Sequence, residues 1–61
     1  MKIKFKGTSD FNFKKGNIYI LVNLTIDKYV NAYITNNNNE IVFIPYSSLY
    51  LFNDNWEIVK E

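Results

Sequence analysis

Residues 2–6 alternate strictly, with Ile3 and Phe5 on one side and Lys2, Lys4 and Lys6 on the other. A period of two is the mark of a strand buried on one face. No stretch of useful length shows the 3.6-residue period of an amphipathic helix. Beyond residue 6 the chain runs through short β-branched and aromatic segments, each closed by turn residues. Gly7 ends the first run and Thr8-Ser9-Asp10 reads as a turn. Phe11 and Phe13 alternate about Asn12, and Lys14-Lys15-Gly16 is a second turn in which Gly16 suits a positive φ.

Residues 17–24 form the second strand expected. Ile18, Ile20 and Val22 fall on one face and Tyr19 and Leu21 on the other, so both faces are apolar and both call for cover. Residues 25–27 are a short connection and residues 28–35 a third strand. Asn36 to Asn39 read as a hairpin tip, because asparagine tolerates the left-handed backbone of tight turns. Residues 40–44 are the fourth strand. Pro45 ends it, since proline cannot donate to a ladder. Residues 46–50 suit a single 3₁₀ turn, 53–55 a turn, and 56–59 a last short strand. Five short strands at near-regular spacing argue for one all-β domain over residues 1–61, as a small barrel without free edges.

With 61 residues, the chain buries only about 60% of its unfolded surface. It has no cysteine and no histidine, so neither a disulfide nor a thiolate metal site holds it together. Core packing alone, or help from a partner, must do so, and Phe5, Phe13, Tyr19, Phe43 and Trp56 are the expected large core residues. The basic start is not followed by an apolar run of signal-peptide length, and nothing approaches the roughly 18 apolar residues of a membrane span. A cytoplasmic protein with no membrane partner is expected.

The segment Asp10-Phe11-Asn12-Phe13-Lys14-Lys15-Gly16, followed by Asn17-Ile18-Tyr19-Ile20-Leu21-Val22, resembles the D-L-S-F-K-K-G-D/E segment and second strand of SH3 domains. Tyr29-Val30-Asn31-Ala32 stands where that family has Trp-Trp-x-Ala. Phe43-Ile44-Pro45-Tyr46-Ser47-Ser48-Leu49 stands where it has I-P-S-N-Y and a 3₁₀ turn. The resemblance covers roughly residues 10–50 and implies a five-stranded SH3-like barrel with a short 3₁₀ turn before the last strand. The A-L-Y-D-Y motif is missing, the segment before residue 10 is too short for a full RT loop, and Tyr29 and Ser48 replace the ligand-contacting tryptophan and tyrosine. These departures argue against Pro-rich ligands, and small SH3-like proteins of bacteria and their phages are more similar. What carries over is a partner-binding surface bordered by Tyr29, Pro45, Tyr46 and Tyr50, with Asp10 as the acidic residue facing a ligand cation.

Catalysis near neutral pH usually rests on a tuned base or an activated nucleophile. Ser9, Ser47 and Ser48 have no histidine to activate them, and Asp10, Asp27, Glu40, Asp54, Glu57 and Glu61 form no paired motif. No phosphate-binding, dinucleotide-binding or calcium-loop motif is present. A non-catalytic protein-binding module without cofactor or metal is expected, in character an accessory protein of a phage or mobile element acting on a host factor. The alternative is a nucleic-acid-binding barrel using Lys2, Lys4, Lys6, Lys14 and Lys15, with Tyr29, Tyr33 and Phe11 for stacking. Against it stand the absence of arginine and a net charge of only +1. The plainer reading of the Lys2/Lys4/Lys6 row is protection of a sheet edge. Five lysines against Asp10 in residues 1–16, and four carboxylates against Lys60 in residues 40–61, make the two ends opposite in charge. An uncovered face of residues 18–22 leaves three outcomes: a lid from residues 51–58, a homodimer, or a partner site.

Overall fold

The structure, a computed structural model, describes residues 1–60; Glu61, one of the four C-terminal carboxylates, lies outside the described residues. The elements are β1 (Lys2–Phe5), β2 (Ile18–Ile26), β3 (Val30–Thr35), β4 (Ile41–Tyr46), α1 (Leu49–Asn55) and β5 (Trp56–Ile58). The five strands make one antiparallel sheet in the order β4-β3-β2-β1-β5. The sheet is open, since among the described residues no ladder joins β4 to β5. Phe11 to Phe13, despite their alternation, lie in the loop between β1 and β2.

β2 serves two partners. Ile18 to Ile20 pair with β1, and Leu21 to Ile26 pair with β3. The register slips between Leu21 and Asn23, which leaves Val22 as the extra residue of a bulge. A bulge bends a strand and sharpens its twist, so one strand can pass from one half of the sheet to the other. The inner face carries Ile3, Phe5, Tyr19, Leu21, Val30, Ala32 and Ile34, and Phe13, Phe52 and Trp56 complete the core. Trp56 lies at the centre of the aromatic packing, with ring centroids 4.9 Å from Phe5, 5.0 Å from Phe13 and 6.0 Å from Tyr19.

Several sequence expectations are corrected. No 3₁₀ turn occupies residues 46–50. Tyr46 ends β4, and Ser48 caps an α-helix by accepting from the Leu51 N–H at 3.2 Å. The helix has seven residues and buries only Phe52, too short for a hydrophobic period to show. Pro45 does not end β4. Because β4 is an edge strand, the missing N–H can point away from β3 at no cost. Phe43 is not core. It pairs with Tyr33 on the outer face, ring against ring at 5.0 Å, and is 51% exposed.

The lysine row does not protect an edge either, for β1 lies between β2 and β5. Lys2 stands beside Ile20, and Lys4 between Ile18 and Glu57. Nor does the C-terminal segment cover the second face of β2. Phe52 and Trp56 turn into the interior, and Ile18, Ile20 and Val22 stay about half exposed. Among the described residues, no helix is long and apolar enough to cross a membrane.

Candidate functional site

Burial falls off sharply at one end of the sheet. The inner-face residues of β3 are closed off, with Val30 at 3% and Ala32 and Ile34 at 0% exposure. Their neighbours on β4, Val42, Ile44 and Tyr46, are only half-buried. The cause is topological, because nothing among the described residues pairs with the far side of β4. A groove of about 410 Å³ occupies this gap. Val42, Ile44 and Tyr46 form one wall, Phe5 and Phe13 reach it from the core, and Thr8, Asp10 and Asn12 form the opposite rim.

The rim is held by its own hydrogen bonds. Asp10 Oδ1 accepts from the N–H groups of Asn12 and Phe13 at 2.8 and 2.9 Å, an Asx turn that fixes the carboxylate. The Asn12 carbonyl accepts from the Asn37 N–H at 2.9 Å, and its side-chain oxygen from Asn36 Nδ2 at 3.1 Å. The Tyr19 hydroxyl donates to Asn37 Oδ1 and accepts from the Lys14 N–H. The β3–β4 hairpin tip therefore clamps the loop that carries Asp10. Gly16 closes that loop with φ at 89°. Gly7 is required for a different reason, since a Cβ there would lie 2.6 Å from Asn55 Oδ1 and 2.7 Å from the Phe5 ring.

Among the groove's polar groups, Asp10 and Tyr46 each keep a position open to a ligand. Asp10 Oδ2 accepts no hydrogen bond among the described residues. The Tyr46 hydroxyl accepts from Trp56 Nε1 at 2.8 Å, and its own proton has no acceptor among the described residues. Burial pushes the Tyr46 hydroxyl above its ordinary range, the Trp56 hydrogen bond partly offsets this, and the Asp10 carboxylate adds to the rise. The groove thus offers a fixed anion and a neutral donor beside apolar walls.

The folded pKa of Tyr46 is raised, so its stabilising contribution is complete below the unfolded value near 10. It declines as pH rises further, because the unfolded chain releases the proton first. Tyr46→Phe orphans the buried Trp56 N–H and should lower stability by ~1–3 kcal/mol near pH 8. Urea midpoints should show the gap between wild type and variant narrowing toward pH 11. A constant gap would mean that Tyr46 titrates alike in both states.

Of the residues expected at a partner site, the structure brings Asp10 and Tyr46 together at this groove. It does not bring Tyr29, Pro45 or Tyr50 there. Tyr29 lies at the β2–β3 turn, 48% exposed, and Pro45 is exposed opposite Asn31. Tyr50 projects from α1 at 77% exposure. Of the lysines, Lys2 and Lys4 stand on the outer face of β1, and Lys14 and Lys15 lie in the turn before β2. None lines the groove. Sequence reasoning missed Thr8, Asn12, Val42 and Asn55. Among the described residues, no cluster of acidic side chains could hold a metal ion. No family model matches the chain, and neither a curated protein nor a solved structure does.

Proposed function

We propose that this chain is a non-catalytic protein-binding module, SH3-like in plan and open between β4 and β5, which captures a partner segment bearing a lysine or arginine in the groove beneath Asp10. The strand order, the bent β2 shared by both halves of the sheet and the short helix between the last two strands support the SH3-like reading. One observation carries the functional reading: among the described residues, Asp10 is the only charged one lining the groove, held in place with one oxygen free. Phe5, Phe13 and Tyr46 bring aromatic surface beside it, which suits the stem and head of a basic side chain.

The test is selection of binders from a random dodecapeptide library displayed against the full chain. Recovered peptides should contain lysine or arginine. Asp10→Asn keeps the Oδ1 acceptor of the Asx turn, removes the charge and turns the free Oδ2 acceptor into an N–H donor. It should weaken the recovered peptides by about tenfold, the scale of one charge-assisted hydrogen bond. Equal affinity for the variant would remove the groove from consideration. A random single-stranded oligonucleotide is titrated in parallel. Micromolar binding that falls steeply with salt would transfer the function to the lysine row.

A further inference from the structure

We infer that the groove takes its ligand as an added β-strand, an extended segment that pairs with the free edge of β4 and sets alternate side chains against the inner apolar wall. This rests on the groove being the binding site and specifies the backbone form of what enters it.

The ladder between β3 and β4 sets the phase of that edge. The Asn36 N–H donates to the Glu40 carbonyl at 2.8 Å, and the register continues through Ile34↔Val42, Ala32↔Ile44 and Val30↔Tyr46. In an antiparallel ladder, hydrogen-bonded pairs alternate with pairs whose polar groups point outward. The intervening pairs, Thr35↔Ile41, Tyr33↔Phe43 and Asn31↔Pro45, are therefore the outward ones. Pro45 agrees with this phase, since its nitrogen has no proton to give β3. The far edge of β4 thus presents the N–H and C=O of Ile41 and Phe43 and the C=O of Pro45. Among the described residues, the N–H groups of Ile41 and Phe43 make no backbone hydrogen bond outside the strands.

Edge strands are commonly guarded by charge, by shortness or by a covering element. β5 has only three residues and carries Glu57. β4 has six residues, Ile-Val-Phe-Ile-Pro-Tyr, and no charge. Its inner side chains are the half-buried ones of the core, since no strand pairs with that side of β4 among the described residues. A strand laid along this edge would satisfy the backbone groups and cover Val42 and Ile44 together. Strand addition of this kind draws affinity from the main chain and specificity from pockets for alternate side chains.

Charge selects the occupant. A second copy offering its own β4 brings no cation to Asp10. A separate segment with a lysine or arginine among its inward residues does, with apolar residues at the alternate positions facing Val42, Ile44 and Phe13. A ligand in the polyproline form has neither the period nor the N–H groups for this edge.

The experiment uses the full chain and a dodecapeptide recovered from the display library. Recovered sequences should show apolar and basic residues at a spacing of two and no enrichment of proline. Hydrogen exchange followed by NMR should show the Ile41 and Phe43 amides slowed at least about tenfold by the peptide. N-methylation of the peptide on the edge-facing set of alternate amides should abolish binding, and on the other set should leave it within about threefold. Proline-spaced sequences, unchanged Ile41 and Phe43 amides, or indifference to both methylation patterns would overturn strand addition. If Asp10→Asn still weakened binding in those cases, the groove reading would stand alone. Failure to recover any Asp10-dependent peptide overturns both. Slow Ile41 and Phe43 exchange in a peptide-free dimer would also overturn the inference, by giving the edge to a second copy.

Discussion

Trp56→Ala should leave the chain without a cooperative unfolding transition. The indole is 2% exposed and packs against Phe5, Phe13 and Tyr19, so its removal opens a cavity beneath three other rings. Truncations of this kind cost about 3–5 kcal/mol. Domains hold roughly 0.05–0.15 kcal/mol per residue, about 3–9 kcal/mol for 61 residues, so the loss takes half or more of the whole stability over most of that range. The variant also removes the donor to Tyr46, a side-chain bond between the start of β5 and the end of β4, which no ladder joins among the described residues. Trp56→Phe keeps much of the ring packing and loses the bond, so it should unfold cooperatively at a lower urea midpoint. Near-ultraviolet circular dichroism and urea titration read both. A Trp56→Ala chain with a sharp transition near the wild-type midpoint would show that β5 and α1 are not integral to the core.

Legibility in the sequence followed the range of each interaction. Ile3 and Phe5 against Lys2 and Lys4 were readable because strand alternation is local, and the structure buries the apolar pair. The doubled apolar pattern of β2 was readable as two faces. Tyr19 and Leu21 proved to be the inner set, while Ile18, Ile20 and Val22 stay uncovered. Which strands would be edges was not readable, because that depends on pairing between distant segments. The lysines of β1 therefore suggested an edge that lies elsewhere, and Pro45 suggested the end of a strand that continues through it. Phe43 looked like core because its size argues for burial, whereas the face it occupies is set by register with β3. At the groove, Asp10 and Tyr46 were readable as residues of the right chemistry. Val42 and Asn12 were not, since one is an ordinary strand aliphatic and the other matters only through its bonds to the hairpin tip.

The four consecutive asparagines give the second large effect, and a graded one. A tip chosen merely for polarity would treat them alike, but the structure gives each a different task. Asn36 is 5% exposed, accepts from the N–H groups of Asn38 and Glu40 at 2.9 Å each, and donates to Asn12 Oδ1 and Glu40 Oε1. Asn37 accepts from the Tyr19 hydroxyl and donates its N–H to the Asn12 carbonyl. Asn39 holds φ at 60°, where other side chains strain the backbone by about 1–2 kcal/mol. Asn38 is exposed, and no side-chain hydrogen bond of its own holds it among the described residues. Asn36→Ala should therefore cost most, ~2–3 kcal/mol for several hydrogen bonds of about 1 kcal/mol each in a buried setting. Asn38→Ala should stay within about 0.5 kcal/mol of wild type. Asn36→Ala should also loosen the loop that aims Asp10. Any peptide held by the groove should then bind more weakly to the folded variant than the stability loss alone explains. Urea midpoints for the four alanine variants, with peptide affinity measured well below each midpoint, separate the two effects. Equal midpoints across the four would mean that the tip is a passive turn and that the loop bearing Asp10 is positioned from elsewhere.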